Sequence, residues 1–81
     1  MKVVLYVIIA LYDNNQITVA NANTWYWDDK TGMLNVYDTD DKIALSIRQD
    51  EVMYIFRASG NEERDKMVDF LDNLYKKWSF L

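Results

Sequence analysis

The 81-residue chain has no cysteine, no histidine and no proline, which removes disulfides, thiol nucleophiles, Cys/His metal sites and the usual general base near neutral pH. Apolar residues make up 51% and charged residues 27%, the balance of a small globular domain and not of a disordered chain. Thirteen acidic against nine basic residues leave a formal net charge of −4, which argues against a nucleic-acid binder, whose basic face must displace counterions.

In chain order, residues 3–12 are rich in β-branched and aromatic side chains and predict a first strand, closed by the turn cluster Asp13-Asn14-Asn15. Met1-Lys2, this apolar run and Ala20-Asn21-Ala22 also have the parts of a secretory signal. The run stops at Asp13, however, and leaves an overlong polar stretch before Ala22. At its length it cannot cross a bilayer as a helix. A buried strand of a cytoplasmic protein is the expectation.

A second strand follows over residues 16–27, with Ile17, Val19, Trp25 and Trp27 on one parity and a bulge or bend between Ala20 and Asn23. Asp28-Asp29-Lys30-Thr31-Gly32 reads as a hairpin loop, a type I turn closing with Gly32 in the left-handed conformation. Residues 33–37 form a third strand, 38–42 a turn, 43–47 a fourth strand, 48–51 a turn and 52–57 a fifth strand. The period then changes. Ser59 or Asn61 can cap a helix, and Ser59 with Glu62 has capping-box spacing. Met67, Phe70, Leu71, Leu74, Tyr75 and Trp78 make an amphipathic stripe, with Glu62–Lys66 and Asp72–Lys76 as i,i+4 pairs. The expected fold is a single α+β domain over 1–81: an antiparallel five-stranded meander, curled or open, and one C-terminal amphipathic helix packed on one face.

One helix covers one face of such a sheet, yet the first strand is apolar on both: Val3, Leu5, Val7, Ile9 and Leu11 on one, Val4, Tyr6, Ile8, Ala10 and Tyr12 on the other. Leaving either set in water forgoes roughly 1.5–3 kcal/mol per side chain. The sheet must curl into a small barrel, stack on a second copy as a homodimer, or receive a partner protein.

For catalysis without His or Cys, carboxylate pairs remain, and Asp28/Asp29, Asp38/Asp40/Asp41 and Asp50/Glu51 all fall in predicted turns. Solvated turn positions do not tune carboxylates for proton transfer, so turn chemistry and solubility are the simpler account. Asp38-Thr39-Asp40-Asp41 lacks the downstream glycine and glutamate of a calcium loop, and no phosphate-cradling glycine loop is present. No catalytic residue, metal or cofactor is therefore expected. Trp25, Tyr26, Trp27 and Tyr37 could stack bases, with Lys2, Lys42, Arg48 and Arg57 on phosphates. The nearby loop acids would repel a nucleic-acid backbone.

Asp65, Asp69 and Asp72 line one helix face, where a solvated surface competes with an acidic ridge that imitates phosphate spacing. Asp28, Asp29, Asp38, Asp40 and Asp41 offer a second acidic patch, with Trp25 or Trp27 beside it as interface anchor. In length, acidity and missing Cys, His and Pro, the chain resembles small phage and mobile-element inhibitors of the anti-CRISPR and DNA-mimic type. The resemblance lies in size and composition and carries no motif. It implies a non-catalytic inhibitor that binds a basic, nucleic-acid-handling protein, working in the host cytoplasm if phage-encoded. The alternatives are single-stranded nucleic-acid binding through the sheet aromatics and a dimeric structural module.

Overall fold

The computed structural model describes residues 3–78. Six strands, β1 (Leu5–Leu11), β2 (Gln16–Ala20), β3 (Ala22–Asp28), β4 (Met33–Asp38), β5 (Ile43–Arg48) and β6 (Val52–Ser59), precede one helix, α1 (Gly60–Trp78). They form two three-stranded antiparallel sheets, ordered β2-β1-β6 and β3-β4-β5. The single five-stranded meander expected from the sequence is thus corrected to six strands in two sheets. The α+β class and the C-terminal helix stand.

The split has a local cause. Asn21 takes φ 57° between β2 and β3, inside the stretch where a bend is expected, and asparagine is among the few residues that tolerate that conformation. The long second strand therefore turns a corner and serves both sheets. A 3₁₀ turn at Gln49–Glu51 makes the second crossing. It returns the chain to β1, where β6 pairs from Leu5↔Ser59 to Leu11↔Val52.

This path resolves the two-faced first strand within one chain. Val7, Ile9 and Leu11 meet Ala22, Leu34, Val36 and Val52 between the sheets, with Ile17, Val19, Trp25, Leu45, Ile47 and Ile55 around them. On the opposite face, Tyr6, Ile8 and Ala10 pack with Ala58 and with Leu71 and Tyr75 of α1. Val7, Ile8, Ile9 and Ala10 are all at 0% exposure. The order across the molecule is helix, first sheet, second sheet.

Gly60 forms the corner from β6 into α1. Its φ of 84° is a left-handed backbone that favours glycine, and its N–H donates to the Val4 carbonyl at 2.8 Å. Of the two expected caps, Asn61 lies inside the helix, where its Oδ1 accepts the Tyr6 hydroxyl at 2.6 Å, and Ser59 ends β6 directly before it. Glu62 and Lys66 do pair, at 3.6 Å.

Polar contacts at both ends set the helix rotation. The Arg64 guanidinium lies 4.9 Å over the Tyr6 ring and donates to its hydroxyl, and Tyr75 donates to the Asn15 carbonyl at 3.0 Å. Burial pushes the Tyr75 hydroxyl pKa up; a backbone hydrogen bond at Leu11 works against this, and the charges of Asp13 and Asp72 add to it. With Arg64 and Tyr75 so held, Val68 turns toward the sheet and Phe70 turns away, 53% exposed. Phe70 thus leaves the apolar stripe drawn from periodicity, and the Trp78 side chain lies outside the described residues. No helix among the described residues is long and apolar enough to cross a membrane.

The two neighbours on α1 give a direct test. Leu71→Ala removes a fully buried side chain and is expected to cost about 2–5 kcal/mol. Phe70→Ala should cost less than about 1 kcal/mol, because most of that ring is already in water. Urea unfolding followed by far-UV circular dichroism measures both.

Candidate functional site

Two aspartate-closed turns set the register of the second sheet. The Asp28 carboxylate accepts the Lys30 N–H at 3.0 Å, and the Gly32 N–H closes onto the Asp28 carbonyl at 2.8 Å with φ 71° at Gly32, as expected for this loop. At the opposite end of β4, the Asp38 carboxylate accepts the N–H groups of Asp40 and Lys42 at 2.8 and 3.0 Å. The Asp38 N–H donates to the Lys42 carbonyl, and Asp41 sits at φ 61°. Asp28 and Asp38 are therefore half-buried turn staples. Asp29, Asp40 and Asp41 project into solvent.

These turns decide which side chains face in. Trp25 pairs with Val36, which pairs in turn with Leu45, and Trp27 pairs with Leu34, which pairs with Ile47, so both tryptophans lie on the inner face. Trp25 is half-buried, its ring 4.5 Å beneath the Arg57 guanidinium, whose Nε donates to the Asn23 carbonyl at 2.7 Å. Such a contact joins the two sheets and is worth about 1 kcal/mol. Trp27, at the end of the inner face, remains 49% exposed. Trp25 is thus a core residue in this fold, and the sequence expectation of an anchor at either tryptophan narrows to Trp27.

The outer face of the second sheet has no layer over it among the described residues. Its rows are Thr24, Tyr37 and Ile43; Tyr26, Asn35 and Ser46; Asp28, Met33 and Arg48. Tyr26 and Ile43 are 62% and 56% exposed. The Tyr26 and Tyr37 rings meet edge-on, with centroids 5.5 Å apart. Ser46 donates to Asn35 at 2.7 Å, which satisfies the polar pair in the middle row. Tyr26 and Tyr37 can be told from the tryptophans by register: the Asp28–Gly32 turn places Trp27 opposite Leu34, so the intervening tyrosine must point the other way.

The acids predicted as partner-binding do not gather. The turns carrying Asp28/Asp29 and Asp38/Asp40/Asp41 sit at opposite ends of β4, about 17 Å apart for five strand steps. They bracket the tyrosine face from its two ends and do not merge into one patch. Asp65, Asp69 and Asp72 lie on α1, across the first sheet from this face. Asp65 accepts from its neighbour Arg64 at 3.0 Å, Asp72 accepts from Gln16 Nε2 at 2.9 Å, and Asp69 is exposed. The hydrogen bond to Asp65 holds the Arg64 pKa above its ordinary value.

Among the described residues, no three carboxylates are placed to hold a metal ion. The surface clefts are small and open, such as one of about 280 Å³ lined by Ser59, Glu62, Glu63 and Lys66. What the second sheet presents is a flat aromatic surface with charged ends, a geometry suited to contact with another macromolecule. No protein-family model, no curated protein and no solved structure matches the chain.

The two kinds of loop acid separate by mutation. Asp38→Ala strips two backbone N–H groups of their acceptor and is expected to cost about 1–2 kcal/mol in urea unfolding. Asp40→Asn, with no such duty, should stay within about 0.5 kcal/mol of the parent.

Proposed function

We propose that the chain is a non-catalytic binding module that docks through the outer face of its second sheet onto a basic, nucleic-acid-handling protein and so blocks that surface. One observation carries the reading: an exposed Tyr26, its ring edge-on to the half-buried Tyr37, lies between two acidic turns on a sheet face that the protein's own helix does not reach. Aromatic side chains dominate the energetics of interfaces, and surrounding charges steer the encounter and choose the partner. Asp29, Asp40 and Asp41 stand in solvent and can meet the partner directly, while Asp28 and Asp38 add their charge from within the turns they hold. Tyr26 is the central contact, with Tyr37, Met33 and Ile43 beside it. The helix acids take no part in this docking.

The requirement that suggested a homodimer, cover for the second face of β1, is met inside the chain. An isologous dimer through the tyrosine face would also bring acidic turns of two copies together. A foreign basic partner has the complementary charge.

The test is capture from bacterial lysate on three immobilised proteins: the parent, Tyr26→Ala, and the triple variant D29N/D40N/D41N. Proteins held by the parent are eluted with rising salt and assayed for nucleic-acid binding with and without the parent chain. The expected result is a basic protein that loses its nucleic acid when the chain binds, and that Tyr26→Ala holds at least about tenfold more weakly. The triple variant should release it at lower salt. Equal retention by all three overturns the proposal. Direct binding of a labelled single-stranded oligonucleotide by the parent, lost in Tyr26→Ala, replaces it with nucleic-acid recognition.

A further inference from the structure

The edge strands of the two sheets differ in what blunts them. At the start of β3, the Arg57 side chain crosses from β6 to the Asn23 carbonyl. The β6 edge shifts register at Met53, between the pairs Ala10↔Tyr54 and Leu11↔Val52. β2 is short, and its Gln16 is tied to α1 through Asp72. On β5, among the described residues, no hydrogen bond beyond the β4 ladder ends on the backbone of 43–47. A bulge at Ala44 blunts the first part of this strand, as that at Met53 does on β6, but Leu45–Arg48 remains in unbroken register with β4. No charge or proline lies between Ile43 and Ile47, although these are the usual means of closing an edge.

Two further features point to an occupant. Leu45 and Ile47 belong to the inner face yet stay half-exposed, as expected of side chains on a sheet edge with no neighbouring strand. Both ends of β5 are net acidic. Asp38, Asp40 and Asp41 outweigh Lys42 at one end, while Asp50 and Glu51 outweigh Arg48 at the other, where Arg48 is already paired with Asp50 at 2.9 Å.

We propose that β5 is a strand-acceptor edge, on which an extended segment of the basic partner adds as a fourth strand of the second sheet; this rests on the docking reading above and names its mode. The segment has apolar residues at alternate positions, which cover Leu45 and Ile47, and lysine or arginine at both ends, which meet the two acidic turns. Its remaining side chains emerge beside Ser46 and extend the face that holds Tyr26 and Tyr37. A second copy is the poorer occupant. Antiparallel pairing of β5 with itself sets Asp40 and Asp41 of one copy near Asp50 and Glu51 of the other, acid against acid.

The experiment uses the intact chain and two synthetic peptides of alternating valine and threonine with a lysine pair at each end. The second peptide is N-methylated at its valines, which removes backbone donors and leaves charge and side chains in place. Saturating the first peptide should slow exchange of alternate amides in Leu45–Arg48 by at least about tenfold, and N-methylation should weaken binding at least about tenfold. Tyr26→Ala should leave this peptide bound.

Equal binding of the two peptides, protection elsewhere than β5, or no binding overturns the edge proposal, whatever the lysate capture shows. Peptide binding on β5 together with capture that ignores Tyr26 overturns the docking face and spares the edge. Protection of β5 in the free protein that grows with its concentration assigns the edge to a second copy, and also overturns the proposal.

Discussion

Everything in this fold depends on a first strand that must be dry on both sides. Val7, Ile8, Ile9 and Ala10 are consecutive and have no exposed surface. Consecutive strand residues point to opposite faces, so both faces of β1 need a layer. The chain supplies one with α1 and the other with its own β3-β4-β5 sheet. Both depend on long-range pairing: β6 must return beside β1 before Gly60 can launch the helix across it.

That solution leaves an asymmetry with functional weight. In the first sheet the central strand β1 is covered on both faces, whereas the second sheet is peripheral and buries one face alone. Its inner residues, Leu34 and Val36, are at 0% exposure, and Asn35 between them lies on the outward face. The same turns that hold the register put acids at both ends of that outward face. Stability and surface chemistry therefore share residues here: Asp28 and Asp38 close the turns that display Asp29, Asp40 and Asp41.

Much of this was legible in the sequence where the determinants are local. The loop from Asp28 to Gly32, the strand character of 3–12 and the helix after Ser59 each follow from neighbouring residues, and the bend near Asn21 was anticipated as an irregularity. What stayed hidden was set at a distance. The pairing of β6 with β1 leaves no mark on adjacent residues, so five strands in one sheet looked sufficient. Phe70 fits the helical period as well as Val68, and the choice between them falls to Tyr6 and Asn15, more than fifty residues away in the chain.

The surroundings of the candidate residues were legible only in part. The aromatics Trp25, Tyr26 and Trp27 beside the loop acids could be seen in the sequence, but not that Trp25 is half-buried against Arg57 while Tyr26 faces out. Bulk and apolarity favour a tryptophan as an anchor and, equally, as a core residue, and register alone separates the two roles. The acids could be counted from the sequence. Their division into turn staples and free charges needed the hydrogen bonds of Asp28 and Asp38.

The central claim is that a single chain covers both faces of β1 unaided. Equilibrium unfolding in urea at protein concentrations about a hundredfold apart tests it most directly, since stability that depends on a second copy rises with concentration by mass action. The account predicts one midpoint at both concentrations. A midpoint that climbs with concentration would mean that a partner copy completes the core, and would contradict it.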